Sequence, residues 1–234
     1  MKTDLYQWLA MVCLATVSGA LCHAAEPPAH GVAAENLLYR PPLRGAPAKR
    51  VGGATRGLIE TKSPITVVAP NHTGLTISEQ PTLYWYMAQP SAGRMVLRLI
   101  ALDTATTVAE KAMPESSCTG FYRVNLATEG VTLKPELNYL WQIAVISADP
   151  QTSYATVSAS IRFTRMDAPN DLSAKPSAER RRALAETGIW YDVVDELMAQ
   201  LKLPDSAANP RRTLGNLLGQ VDIMDSLANG ATCY

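Results

Sequence analysis

Leu133-Lys134-Pro135-Glu136-Leu137-Asn138-Tyr139-Leu140-Trp141-Gln142-Ile143-Ala144-Val145 carries the clearest structural rhythm in the chain. From Tyr139 onward the large apolar side chains fall on every second position, so Tyr139, Trp141, Ile143 and Val145 project to one face of an extended strand. The same period governs the next segment. There Ala155, Val157, Ala159, Ile161 and Phe163 alternate with Thr156, Ser158, Ser160, Arg162 and Thr164. A strand of that pattern has one buried and one wet face, and strands that share it pair into an antiparallel sheet with one face on a core.

Working outward, β-branched and aromatic residues with turn signals at short intervals predict strands near 65–69, 82–88, 94–102, 105–112, 120–126, 138–147 and 154–165. After Arg165 the period lengthens. Ser177 opens a helix that Gly188 stops. Trp190, Val193, Val194, Leu197, Met198 and Leu201 then form one apolar stripe at helical spacing, with Asp192, Asp195 and Glu196 opposite and Pro204 beyond. Asn209-Pro210 starts a third helix whose stripe is Leu214, Leu217, Leu218 and Val221. The expected fold is therefore mainly β, an antiparallel sandwich over 62–165 followed by a three-helix segment over 166–234.

Leu133, Pro135 and the Tyr139-x-Trp141-x-Ile143 run resemble the fibronectin type III pattern, within the wider immunoglobulin-like sandwich class. There the tyrosine hydroxyl bonds to backbone at a sandwich corner. Leu184-Ala185, Gly188 and Trp190-Tyr191 resemble a single tetratricopeptide-type helix pair. One pair cannot bury both of its faces, so the stripe is expected to dock on the sandwich or on a partner.

Residues 1–25 read as a cleaved export signal: Lys2, an apolar stretch from Trp8 to Cys22, then the small residues Ala24 and Ala25. That stretch is about 15 residues, short of the roughly 20 that span a bilayer. The mature chain is expected to be periplasmic or secreted, with no integral membrane segment. Residues 26–61 are rich in Pro, Gly and Ala and read as a basic lead, extended or disordered, with Arg50 to Gly57 a flexible or edge-strand segment. The formal charge of the whole chain is zero, which disfavours a nucleic-acid partner. Cys118 and Cys233 remain after signal removal; an oxidising compartment permits a disulfide between them, and two separate thiols are the alternative.

Chemistry-bearing motifs are sparse. His72 sits in an Asn71-His72-Thr73-Gly74 turn and reads as a solvated loop histidine. No nucleophile elbow, zinc helix, paired Cys-x-x-Cys or calcium loop is present; no catalytic residue, metal or cofactor is expected. Carbohydrate hydrolysis needs only two acids at a suitable distance, and Glu60, Glu79, Asp103, Glu110, Glu115, Glu129 and Glu136 are candidates among the acids of the β region. Among the aromatics, Tyr84, Tyr86, Trp190 and Tyr191 are the candidate binding residues. Alternation places Tyr84 and Tyr86 on one strand face and Trp85 on the other. Trp85 is expected inward with Trp141, and the tyrosines partly exposed.

Tyr39-Arg40-Pro41-Pro42, Gly52-Gly53-x-Thr55-Arg56-Gly57, Gly74-Leu75-Thr76, Pro81 to Tyr86 and Gly188 to Asp192, in that order, resemble the bacterial domain of unknown function 928 family of exported proteins. The resemblance implies no activity and no site residues. The expected role is a non-enzymatic module that holds a protein or peptide of the cell envelope. A two-carboxylate carbohydrate enzyme and a structural protein that binds an envelope polymer are the alternatives.

Overall fold

Among the described residues the chain forms ten strands, three α-helices and a 3-10 turn. The structure, a computed structural model, describes residues 35–42, 51–54, 64–91, 93–113, 115, 117–146, 155–165, 172, 174–202 and 208–233. The export segment, the lead outside 35–42 and 51–54, and Glu60 lie outside these residues.

One sheet runs in the order β1 (Val51–Ala54), β9 (Ala155–Phe163), β8 (Asn138–Ile146), β5 (Arg94–Ala101), β6 (Thr106–Met113), with β3 (Gly74–Thr76) also on β9. The second runs β10 (Ala231–Thr232), β7 (Gly120–Asn125), β4 (Thr82–Met87), β2 (Ile65–Val67). Register aligns the buried sets. Leu97 lies opposite Ile143 and Leu99 opposite Trp141, while Val157 and Ala159 oppose Ile143 and Trp141 on the other side. Ahead of β8, Lys134 N–H donates to the Tyr139 hydroxyl at 3.0 Å.

The sheets are mixed rather than antiparallel. β3 pairs parallel with β9, and β10 pairs parallel with β7. Both are very short and enter beside strands already in place, where the neighbouring ladder rather than a hairpin sets direction. β1 and β3 share one edge of β9, at Ala155 to Ser158 and at Ile161 to Phe163 respectively. That makes β9 an interior strand, and its Ser158 and Ser160, expected on a wet face, are buried.

β4 is buried on both faces. Leu83, Trp85 and Met87 face the opposite sheet, and the Trp85 ring stacks on Tyr122, directly across the ladder. Three helices follow, α1 (Ser177–Glu186), α2 (Trp190–Gln200) and α3 (Ala208–Gly219), then the 3-10 turn Asp225–Asn229, and the other face of β4 packs against α2. There the Tyr84 hydroxyl donates to Asp195 of α2 at 2.6 Å. The α2 stripe is the core face anticipated from its spacing, and it docks on the sandwich: Trp190, Val193, Val194, Leu197 and Met198 join one apolar cluster with both sheets.

The first turn of α2 bridges the sheets. Trp190 Nε1 donates to the Val68 carbonyl just past β2 at 3.0 Å. Tyr191 donates to the Ser160 carbonyl of β9 at 3.0 Å and accepts from Trp141 Nε1 of β8 at 2.9 Å. Gly188, between α1 and α2, has φ +80°, and an added Cβ would lie 2.9 Å from the Arg40 carbonyl oxygen. Only glycine meets both demands.

Residues 35–42 of the lead are a strap along the helices. Leu37 and Tyr39 are core residues, Arg40 N–H donates to the Ala185 carbonyl at 3.0 Å, and the Glu35 carboxylate pairs with the buried Arg181. Strap, sandwich and helices form one unit, Ala33–Tyr234.

Candidate functional site

The aromatics singled out in the sequence are structural. Tyr84, Trp190 and Tyr191 are each 2 % exposed or less, which corrects the expectation of a partly exposed Tyr84. Tyr86 keeps some exposure but packs edge-on against Phe121, centroids 5.2 Å apart, and against Gly230. The cause is the helical segment, which covers the face of β4 that alternation alone assigns to solvent. Trp85 and Trp141 are both buried.

His72 lies in the expected loop but is half-buried rather than fully solvated. Its Nε2 lies 2.8 Å from the Tyr39 hydroxyl, the two rings stack, and burial lowers its pKa. Burial pushes the Tyr39 and Tyr191 hydroxyls up. The same cause pushes Asp192 up to about 6, against hydrogen bonds from Thr76 and Ile77 N–H that favour its charge. The folded pKa exceeds the ordinary value, so the native state binds a proton that the unfolded chain releases between about pH 4 and 6. Stability contributed by this group rises as pH falls through that window.

Cys118 and Cys233 form a disulfide, with Cα atoms 6.2 Å apart. It staples the segment after the 3-10 turn to the start of β7, where Cys233 N–H donates to the Phe121 carbonyl at 2.8 Å. The Tyr122 hydroxyl bonds both backbone groups of Cys118, accepting from its N–H and donating to its carbonyl.

Among the described residues, the candidate acids of the β region pair with separate bases or stand exposed. Glu110 pairs with Arg98, Glu129 with Lys111 and Glu136 with Arg162, while Glu79, Asp103 and Glu115 are exposed. Among the described residues, no three His, Cys, Asp or Glu side chains gather as metal ligands, and no helix is long and apolar enough to cross a membrane.

The concave surface lies elsewhere, between the strap and α3. Buried Pro210, Thr213, Leu214, Leu217 and Leu218 fix α3 on the core, which turns Arg212, Asn216 and Gly219 outward. The strap is held alongside by Thr213 and Gln220: Glu35 N–H donates to Thr213 Oγ1 at 3.0 Å, Tyr39 N–H donates to Gln220 Oε1 at 2.8 Å, and Gln220 Nε2 donates to the Leu37 carbonyl at 2.8 Å. The strap is extended, so with Leu37 and Tyr39 buried its Leu38 must point out; it is 53 % exposed. Across from it Met224 is 56 % exposed. Between them runs a groove of about 590 Å³ with Gly215 and Gly219 on its floor and Asn36 and Gln220 among its polar lining. A second hollow of about 450 Å³ shares Gly215 and Asn216 and continues to Arg211 and Arg212. Arg211 donates to the Ala228 and Gly230 carbonyls at 3.0 and 3.1 Å, which ties the second hollow to the disulfide-stapled segment. None of the residues expected to bind lines either hollow.

Among solved structures, an immunoglobulin-like β-sandwich protein of the DUF3244 family from Bacteroides vulgatus is similar over 42 % of this chain and 83 % of its own, at 20 % identity and a TM-score of 0.26. No curated protein matches the sequence. The model of the Domain of Unknown Function (DUF928) family matches residues 51–230, from the edge strand β1 through the sandwich and all three helices to the turn before β10. The chain belongs to that family.

Proposed function

We propose that this protein is a non-enzymatic binding module of the extracytoplasmic space, and that it holds an extended segment of another protein in the groove between the strap and α3. The carrying observation is the pair Leu38 and Met224, each more than half exposed on facing walls of a concave surface floored by glycine. Apolar side chains placed together at a groove are recognition surface, since covering them yields about 25 cal/mol per Å². Asn36 and Asn216 beside them offer amide donors and acceptors to a backbone. Export is supported by the Lys2-led apolar segment ending in Ala24-Ala25, and the disulfide suits an oxidising compartment. The Tyr139 corner favours a fibronectin type III-like sandwich, and the tight Gly188 turn favours a tetratricopeptide-like pair α1–α2.

Gly219 provides the test. A side chain added there meets nothing within 4 Å, so Gly219→Leu fills the groove without disturbing the core. The full chain is panned against a random heptapeptide library. Wild type is expected to enrich a consensus that Gly219→Leu loses, with the thermal midpoint unchanged. Equal enrichment by both proteins, or none by wild type, overturns the proposal.

A further inference from the structure

We infer that the segment held in the groove is acidic at one end, an extended peptide that anchors an apolar side chain between Leu38 and Met224 and places a carboxylate near Arg212. This inference rests on the groove reading above and specifies its partner. The two hollows share Gly215 and Asn216 in their linings, so a ligand laid along α3 can reach from the apolar walls to the arginines. Among the described residues that line the two hollows, the charged ones are Arg211 and Arg212, both at the far end. Arg211 has part of its guanidinium committed to the Ala228 and Gly230 carbonyls, which leaves exposed Arg212 as the group that meets the ligand.

Spacing follows from geometry. Gly219 lies seven residues beyond Arg212 on one helix, about 10 Å at 1.5 Å rise per residue. An extended peptide covers that distance in about three residues at roughly 3.3 Å each. The preferred sequence is therefore an apolar residue with Asp or Glu about three positions away. A carboxylate so placed is recognised bidentately by a guanidinium.

The same full-chain panning tests the inference separately from the reading beneath it. Wild type is expected to enrich heptapeptides with Asp or Glu about three positions from Leu, Ile, Met or Phe. Arg212→Glu is expected to weaken those peptides about tenfold and to enrich Lys or Arg at the acidic position while keeping the apolar one. Arg212→Lys is expected to restore the acidic preference. If peptides are enriched and lost in Gly219→Leu, yet carry no acidic preference or are unmoved by Arg212→Glu, this inference falls and the groove reading stands. If the chain dimerises and Gly219→Leu returns it to monomer, a second copy fills the groove and the inference falls. Retention of polygalacturonate with no peptide enriched overturns both.

Discussion

Replacing Trp190 by alanine is expected to destabilise the protein by about 3 to 5 kcal/mol, the range for emptying a buried tryptophan site. Trp190 is fully buried, and it is the point where strap, sandwich and helix meet. Its ring stands edge-on to Tyr39, centroids 5.0 Å apart, and its Nε1 satisfies the Val68 carbonyl. The alanine variant leaves a cavity, one unpaired carbonyl and a strap tyrosine without its neighbour. For a domain of this size each kcal/mol is about 2 to 4 °C, so the thermal midpoint should fall by roughly 10 °C. Urea unfolding checks it: a loss under about 1 kcal/mol would mean that α2 is not seated between the sheets.

Removing the disulfide by Cys118→Ala and Cys233→Ala is expected to produce a loss of comparable size. The bridge spans 115 residues of sequence, and closing so long a loop in the unfolded chain is worth up to about 5 kcal/mol by chain entropy. The bridge encloses most of the folded unit, from the start of β7 to the strand β10. Locally it holds the segment that Arg211 binds, so its loss should also loosen the second hollow. Alkylation of the oxidised protein, read by mass, checks the bond, and urea midpoints with and without reductant check its worth. Two freely alkylated thiols, or identical midpoints, would contradict the prediction.

β2 and the six strands from β4 to β9 are legible in the sequence, the six because each is long enough to display a two-residue period. Tyr139, Trp141, Ile143 and Val145 face the core as their spacing requires. The short strands β3 and β10 are not legible. Gly74-Leu75-Thr76 and Ala231-Thr232 are too brief to show a period, and their strand character comes from the partners they meet. β1 is legible only as an edge segment, since Gly52 and Gly53 carry no pattern.

Alternation also tells which side of a strand a residue occupies, but not what covers that side. Tyr84 is assigned correctly to the face opposite Trp85, and its burial depends on Asp195, 111 residues away. The groove was hidden for the same reason. Its walls come from Leu38 and Met224, and the bond that sets their separation, Gln220 to Leu37, joins residues 183 apart. The one local hint was Gly215 and Gly219 at helical spacing, a small-residue floor on an otherwise amphipathic helix.

The account turns on helices whose apolar side is spent on the sandwich, leaving Met224 and Leu38 as the apolar groups beside α3 that still meet water. Mild peroxide treatment of the native full chain, with methionine sulfoxide located by peptide mass mapping, measures this directly, since oxidation follows exposure. Met224 should oxidise at least about tenfold faster than Met87, Met95 and Met198, which are fully buried. Oxidation of Met198 on α2 as fast as Met224 would contradict the account, because it would place the helix face in solvent.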